Sequence, residues 1–143
     1  MTPDACPSCG VTLTPTAVTR PLTLPVFGES VTASAPFWVC PACGADRDGG
    51  VPLLDRQLRR VYAVYRTRHG LLTPHGIRRL RRALGLSRHD LAQTLGWPVL
   101  ALQRYEMGAL HTPVEDTALR AVFRVALHDR LATAPPVPPT PPR

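Results

Sequence analysis

Residues 72–108 read LTPHGIRRLRRALGLSRHDLAQTLGWPVLALQRYEMG, and this stretch decides the fold of the second half of the chain. Gly85 and Gly96 divide it into three segments in which apolar residues recur at helical spacing. The first segment begins with Thr73 as a capping residue and with proline at the first helical position. Its apolar residues share one helical face: Ile77, Leu80 and Leu84. The stretch therefore predicts three short helices in a row.

The second and third segments carry the start and stop signals of short helices. Ser87 caps the second helix, whose two leucines lie four residues apart, and Gly96 closes it. The third helix directs Leu102 inward and Arg104 outward, and it stops at Gly108. Two helices joined by a tight turn containing glycine predict a helix-turn-helix, which places its second helix in the major groove of DNA. A small helical core without any DNA role has the same apolar spacing and is the alternative.

The motifs in this stretch resemble the Cro/C1 or Xre class of helix-turn-helix. Residues 85–96, GLSRHDLAQTLG, resemble the pattern GLSQxxLAxxLG of that class, and residues 104–108 carry its closing RxExG. The resemblance implies that the second helix points its N-terminus at a DNA phosphate. Ser87 and Arg88 are expected at that phosphate, with Gln93 as a weaker candidate.

The outward face of the third helix is predicted to read DNA bases. Arg104 is the chief candidate, because its guanidinium offers two parallel donors to the N7 and O6 acceptors of guanine. Gln103 is expected to contact an adjacent base or a phosphate. Val99 and Leu100 are apolar where this class usually presents hydrogen-bonding side chains, so we expect them to contact thymine methyl groups with less discrimination. Fewer base readers in each subunit make dimeric binding to two half-sites more necessary.

Arg81 and Glu106 occupy the positions at which the Xre class often has an ion pair between its first and third helices. The resemblance implies that both residues hold the scaffold together rather than contact DNA. A DNA contact is the alternative for Arg81, whereas the negative charge of Glu106 would repel phosphate.

Charge is distributed unevenly along this chain of 143 residues, whose seventeen basic residues are all arginines and whose formal charge is +7. Residues 1–50 hold two arginines against four acidic residues, a charge of −2, whereas residues 51–143 hold fifteen against six, a charge of +9. The asymmetry predicts that the second half binds a polyanion and that the first half has a different partner or a structural task.

The first half contains two Cys-x-x-Cys motifs, CPSCG at residues 6–10 and CPACG at residues 40–44. In each motif proline sets a tight turn, and glycine permits a left-handed backbone after the second sulfur. Four thiolates from two such motifs fit one structural Zn²⁺ per chain, with these ligands: Cys6, Cys9, Cys40 and Cys43. Iron or redox chemistry and disulfides are the alternatives. A metal with four sulfur ligands has no open position, so no catalytic role is expected for it.

The residues between the two motifs have the composition of β-strands. Segments 11–24 and 30–39 favour strands separated by a glycine turn. Pro15 and Pro21 predict that these strands are short or lie at an edge. A ribbon of two or three strands clamped by zinc has a core too thin to fold without metal. Trp38 is expected to cover the metal cluster rather than to bind a partner.

Residues 51–70 are predicted to form a helix, opened by Pro52, that connects two domains. Its expected apolar stripe is Leu54, Leu58, Val61 and Tyr65. Thr112 and Glu115 mark the start of a last helix that runs to residue 131. Its apolar stripe is Leu119, Val122, Phe123, Ala126 and Leu127. Part of that stripe is expected to cover the helix-turn-helix, and the remainder is available to a second subunit.

The predicted fold class is α+β: a small zinc-bound β-ribbon domain, joined by a helix to an all-α helix-turn-helix domain of the Cro/C1 type. The predicted boundaries are 1–50 for the zinc domain, 51–70 for the connecting helix and 71–131 for the DNA-binding and dimerisation domain. Residues 132–143, ATAPPVPPTPPR, form a proline-rich tail that is predicted to be neither helix nor sheet.

Taken together, CPSCG, CPACG, a helical connector and a helix-turn-helix ending in RYEMG resemble the MqsA antitoxin family, also described as YgiT-type zinc-finger proteins. The resemblance implies that the zinc domain holds a toxin that is a messenger-RNA-cleaving ribonuclease. It also implies that the C-terminal domain dimerises, binds palindromic operator DNA and represses the operon. The four cysteines match the zinc ligands and Arg104 matches a base-contacting arginine, but Leu100 stands where the family has asparagine, so a different operator is expected.

The sequence therefore predicts a DNA-binding repressor that is the antitoxin of a type II toxin-antitoxin pair. A zinc-containing Xre regulator without a toxin is the alternative. No enzyme is expected, because no carboxylate pair or Ser/His/Asp set stands out. The histidines are scattered and are expected at the surface: His69, His75, His89, His111 and His128. Without a leader peptide or a membrane-spanning apolar run, a cytoplasmic protein is expected.

Overall fold

The structure is a computed structural model that describes residues 4–133 of the chain. The chain forms two compact units, Met1–Gly70 and Leu71–Arg143. The fold is α+β, as predicted, with short antiparallel sheets followed by helices. In the part of the chain that is described, no helix has the length and apolar character needed to cross a membrane.

The described residues of the first unit, 4–70, form two small sheets. Strands β1 (Asp4–Ala5) and β2 (Thr12–Leu13) form an antiparallel pair around the first cysteine motif. Strands β3 (Thr16–Val26), β4 (Glu29–Val39) and β5 (Asp46–Arg47) form a second antiparallel sheet in the order β3-β4-β5. The predicted ribbon is thus a long hairpin with a short third strand beside its end.

The β3–β4 hairpin is longer than the prolines predict, because each strand has eleven residues. β3 is an edge strand, as expected. Proline is tolerated there, because no strand within residues 4–133 lies on the outer side of β3 to accept the hydrogen bond that proline cannot donate. The strands turn at Phe27 and Gly28, whose φ angles are 47° and 82°. Two successive positive φ angles give the mirror-image turn that matches strand twist.

Helix α1 (Gly50–His69) packs against β4 and β3 and belongs to the first unit, whereas the sequence predicts a connector. The prediction of its apolar face is wrong by one residue, because Leu53 is buried while Leu54 is 52% exposed. A Cβ at Gly49 would lie 2.4 Å from Leu53 Cβ and 2.6 Å from Trp38 Cδ1, so the backbone before α1 closely approaches both side chains. Trp38 therefore packs beside the start of α1.

Within residues 71–133, the described part of the second unit, there are four helices: α2 (Pro74–Ala83), α3 (Arg88–Leu95), α4 (Val99–Met107) and α5 (Pro113–Thr133). Their buried residues form one core: Ile77, Leu91, Ala92, Leu102, Leu119 and Phe123. The predicted caps are confirmed, since Thr73 accepts a hydrogen bond from the Gly76 amide and Ser87 forms a capping box with Asp90. Gly96 closes α3 in the left-handed conformation with φ 67°.

Two details of the second unit differ from the predictions. Leu80 and Leu127, which were expected in the apolar faces of their helices, are 38% and 49% exposed. Helix α5 also continues through Ala132 and Thr133, because no proline interrupts it before Pro135. The rest of the predicted proline-rich tail lies outside the described residues.

Candidate metal centre and candidate nucleic-acid interface

The fold brings the four predicted metal ligands together. Cys6 and Cys9 belong to the motif between β1 and β2, and Cys40 and Cys43 to the motif between β4 and β5. The four Sγ atoms lie within 4.8 Å of one another, and none of the cysteines is in a disulfide. The first cysteine of each motif is buried and the second is exposed. This cluster can hold one metal ion.

Both cysteine motifs fold into the same tight loop, which explains their common sequence. The amide of Gly10 donates to the carbonyl of Cys6, and the amide of Gly44 donates to the carbonyl of Cys40, both at 2.8 Å. The two glycines have φ angles of 72° and 74°, which lie in a region of backbone conformation that residues other than glycine rarely adopt. Each loop therefore turns its two sulfur atoms to the same side.

The spacing of the sulfur atoms fits a tetrahedral thiolate site. Zn²⁺ binds thiolate sulfur at about 2.3 Å, which places the ligands of a regular tetrahedron about 3.8 Å apart. The Sγ–Sγ distances are 3.8 Å between Cys6 and Cys43 and 3.8 Å between Cys9 and Cys40. Two of the six Sγ–Sγ distances thus match a tetrahedral four-sulfur site, and the others are no longer than 4.8 Å.

Backbone amides stabilise the thiolate form of the buried cysteines. Hydrogen bonds from the amides of Cys9 and Ser8 lower the pKa of Cys6 to about 6. The amides of Cys43 and Ala42 likewise lower the pKa of Cys40. The amide of Val11 also lowers the pKa of Cys9, but partial desolvation of its sulfur and the neighbouring thiols outweigh this and raise the pKa to about 11. Metal ligands must be deprotonated, so these amides favour metal binding.

Arg47 is a neighbour of the cluster that the sequence does not reveal. Its guanidinium donates to the carbonyl of Ala5 at 3.0 Å, and its side chain is 8% exposed. A hydrogen bond from Arg47 also lowers the pKa of Cys6. A positive charge beside four thiolates offsets part of their mutual repulsion. Sequence spacing carries no signal for this role, because Arg47 reaches the cluster only through the pairing of β5 with β4.

The predicted base-reading residues share the exposed face of α4. Val99 and Leu100 are 39% and 55% exposed, and Gln103 and Arg104 are exposed beside them. The opposite face is buried through Leu102 and Glu106. Sequence reasoning missed a further member of the exposed face, Met107, whose side chain is 63% exposed. We call the side chains of Val99, Leu100, Gln103, Arg104 and Met107 the α4 face.

The predicted phosphate contacts at the start of α3 have partners within the unit. The Ser87 hydroxyl donates to Asp90 Oδ2 at 2.6 Å and accepts from the Asp90 amide at 3.0 Å. Arg88 Nε donates to Glu106 Oε2 at 2.8 Å. Gln93 is exposed on the same helix. Ser87 and Arg88 thus support the scaffold in this structure.

The predicted ion pair between Arg81 and Glu106 is confirmed. Arg81 Nε donates to Glu106 Oε1 at 2.6 Å, and Arg81 Nη2 donates to Oε2 at 3.1 Å. Arg78, which was not predicted to take part, donates to the Glu106 carbonyl at 2.7 Å. Burial raises the pKa of Glu106, but Arg81 and Arg88 outweigh it and hold this pKa below its usual value. The network ties α2 and α3 to α4.

The expectation that the histidines lie at the surface is wrong for His111, which is 1% exposed. Its Nε2 lies 2.8 Å from Asp116 Oδ1, and the same oxygen accepts from the Leu72 amide at 2.7 Å. Asp116 Oδ2 accepts from Arg120 Nε at 2.6 Å. This buried group fastens the start of α5 to the residues before α2.

Similarity to known proteins does not identify the function, because neither protein-family models nor curated protein sequences match this chain. The functional proposal therefore rests on the cysteine cluster, the α4 face and the distribution of charge.

Proposed function

We propose that the protein is a sequence-specific DNA-binding transcriptional repressor whose second unit is a helix-turn-helix domain of the Cro/C1 type. The observation that supports this most is the α4 face, on which Arg104 and Gln103 are exposed above a buried core. Residues 71–143, which form the second unit, hold ten arginines against five acidic residues, and this charge of +5 favours a polyanionic partner. The short turn between α3 and α4, residues 96–98, is consistent with this class.

In this proposal each part of the α4 face has its own task. Arg104 donates two hydrogen bonds to guanine, which discriminates against other bases by about 1 to 3 kcal/mol. Gln103 contacts a neighbouring base or phosphate, and Val99 and Leu100 contact thymine methyl groups. Gln93 is left as the phosphate contact from α3, because Ser87 and Arg88 are engaged within the unit.

The repressor acts as a homodimer on a palindromic operator. Support comes from α5, which leaves Val114 and Val125 exposed by 80% and 61% on one face. Pairing α5 with a second copy would remove this apolar surface from water. The recognition helices of the two copies would then contact two half-sites that lie one turn of the DNA apart.

One Zn²⁺ per chain is the proposed cofactor of the first unit, with a structural role. When bound, the ion would link the four sulfur atoms through coordinate bonds and would have no open position for catalysis. The chain supplies the rest: two matched loops, amides that favour thiolates, and Arg47 as a nearby positive charge. We accordingly propose no enzymatic activity.

The partner of the first unit is proposed to be a ribonuclease toxin, which makes the protein an antitoxin that represses its own operon. The proposal rests on the resemblance to the MqsA family and on the separation of a first unit that carries +2 of the total charge of +7. The alternative is a zinc-containing transcription regulator without a toxin. Co-expression with the neighbouring gene separates the two, because an antitoxin relieves the growth arrest that its toxin causes.

The test of DNA binding uses a fluorescent duplex from the region upstream of the gene and a shuffled duplex of equal length. Arg104→Ala should lose about 1 to 3 kcal/mol of affinity and relax specificity at one base step. The control is Arg56→Ala, which removes the same charge from an exposed position of α1 and should retain specific binding. Affinity should also fall steeply with salt. Equal binding of both duplexes, or an unaffected Arg104→Ala variant, would contradict the proposal.

A further inference from the structure

The second unit contains an apolar groove that DNA binding leaves without a role. The groove lies between α2 and α5 and has a volume of about 400 Å³. Its apolar lining consists of five large side chains: Leu72, Leu80, Leu84, Phe123 and Leu127. Leu80 and Leu127 are 38% and 49% exposed, so part of this lining is in contact with water. An apolar ligand that filled the groove would cover it.

The rim of the groove is positively charged. None of the lining residues is acidic, and three of them are arginines of α5: Arg120, Arg124 and Arg130. Arg120 donates to Asp116, and Arg130 donates to the carbonyl of Ala83. Arg124 makes no hydrogen bond or ion pair with any residue in 4–133. Its guanidinium is available to an anion that lies over the apolar lining.

We propose that this groove binds a medium-chain acyl carboxylate, with the acyl chain against the leucines and the carboxylate on Arg124. The volume falls within the range of about 300 to 1,000 Å³ that is typical of small-molecule sites. An apolar lining with few polar groups at one side is also the usual composition of such sites. This proposal is independent of whether the protein binds DNA.

Charge decides against two other occupants of the groove. In a symmetric contact between two copies through this groove, the arginines of each copy would face those of the other, and like charges across an interface are costly. Residues 134–143 of the same chain have no acidic side chain to pair with the rim. The one charged side chain among those residues is Arg143, which would add positive charge to the rim, whereas a carboxylate ligand supplies a negative charge to Arg124.

The experiment titrates the full-length protein with decanoate and with 1-decanol, which has the same chain length but no charge. Calorimetry gives the affinity, and methyl NMR shifts of Leu80, Leu84 and Leu127 locate the site. Decanoate should bind, and Arg124→Gln should weaken it about fivefold without changing the affinity for 1-decanol. Arg79→Gln, on the exposed surface of α2, is the matched control and should leave both affinities unchanged.

A second variant, Ala83→Phe, fills the groove from an exposed position at the end of α2 and should abolish binding of both ligands. Equal affinity for decanoate and 1-decanol, or equal effects of Arg124→Gln and Arg79→Gln, would overturn the proposal. So would decanoate binding that appears only after residues 134–143 are deleted, since the tail would then be the occupant. Self-association that Ala83→Phe abolishes without any decanoate binding would assign the groove to a second copy.

Discussion

Glu106 illustrates how much one side chain contributes to the second unit. It is 1% exposed, and both of its carboxylate oxygens accept hydrogen bonds from arginines on two other helices. A buried carboxylate without such partners would cost several kcal/mol. The closing RxExG motif therefore places its glutamate where it binds Arg81 and Arg88, while Arg104 of the same motif stays exposed.

Replacing Glu106 tests this network. Glu106→Gln should destabilise the second unit by about 3 to 5 kcal/mol, because Arg81 would keep its charge in a buried position without a counter-charge. Chemical denaturation gives the change in the free energy of unfolding. Asp129→Asn, whose side chain is 74% exposed, is the control and should change it by less than about 0.5 kcal/mol.

The pH dependence of the same variant has a definite sign. The pKa of Glu106 is lowered in the folded protein, so its contribution to stability is complete above the ordinary value of about 4.3 and is lost as the pH falls through the lowered pKa. The stability difference between wild type and Glu106→Gln should therefore shrink as the pH is lowered from 5 toward about 2. A difference that stays constant over this range would remove the ion pair as its cause.

Gly49 is the corresponding single residue of the first unit. A Cβ there would lie 2.6 Å from Trp38 Cδ1 and 2.4 Å from Leu53 Cβ, both shorter than an ordinary van der Waals contact. Gly49→Ala should thus cost about 1 to 3 kcal/mol by forcing α1 away from β4. Thermal unfolding followed by Trp38 fluorescence measures it in a Trp97→Phe background, because Trp97 of the second unit would otherwise contribute to the signal. Ala63→Ser, on the exposed surface of α1, should leave the transition unchanged.

At the scale of elements, α3 depends on its cap because it has only eight residues. The side chain of each residue of the pair Ser87 and Asp90 accepts a hydrogen bond from the backbone amide of the other. Without this cap, the amides at the start of the helix would hydrogen-bond only to water. The same hydroxyl was predicted to contact a DNA phosphate. Its position in the capping box makes helix formation its first role.

Ser87→Ala should therefore lower the stability of the second unit by about 1 kcal/mol. If the hydroxyl acts only as a cap, DNA affinity measured well below the unfolding temperature should change little. Ser34→Ala, in the exposed face of β4, controls for the loss of a hydroxyl. A large loss of affinity without any loss of stability would return Ser87 to the phosphate contacts.

At the scale of the whole molecule, the two units have different sources of stability. The second unit has a core of six buried residues drawn from four helices. The first unit buries small side chains of β4 against α1, and its two sheets meet at the cysteine cluster. We expect the first unit to depend on a metal ion bound at this cluster, since a small core seldom folds without such a link.

Removing the metal tests this difference. A chelator, or Cys40→Ser, should unfold residues 4–70, including α1, and leave the amide NMR signals of residues 71–133 in place. Restoring Zn²⁺ after chelation should restore the lost signals. Loss of the signals of both units would contradict their independence, and a first unit that stays folded would contradict the structural role of the metal.

The sequence by itself determined the features that depend on local chemistry. Caps, glycine stops and the spacing of cysteines act within a few residues, so the bounds of α2–α4 and the ligand set at Cys6, Cys9, Cys40 and Cys43 followed from them. The Arg81–Glu106 pair followed from resemblance to a helix-turn-helix class. DNA binding, zinc and the antitoxin role remain predictions.

Only the tertiary structure decided which elements pack together and which face each one buries. Residues 53 and 54 are both leucines, and the burial of Leu53 rather than Leu54 became visible only in the packing of α1 against β4 and β3. Arg47 lies beside the cysteines through its contact with Ala5, which is distant in sequence. The buried His111 likewise depends on its contact with Asp116 of α5. Local patterns carry no information about such contacts, because packing is a property of surfaces that meet only after folding.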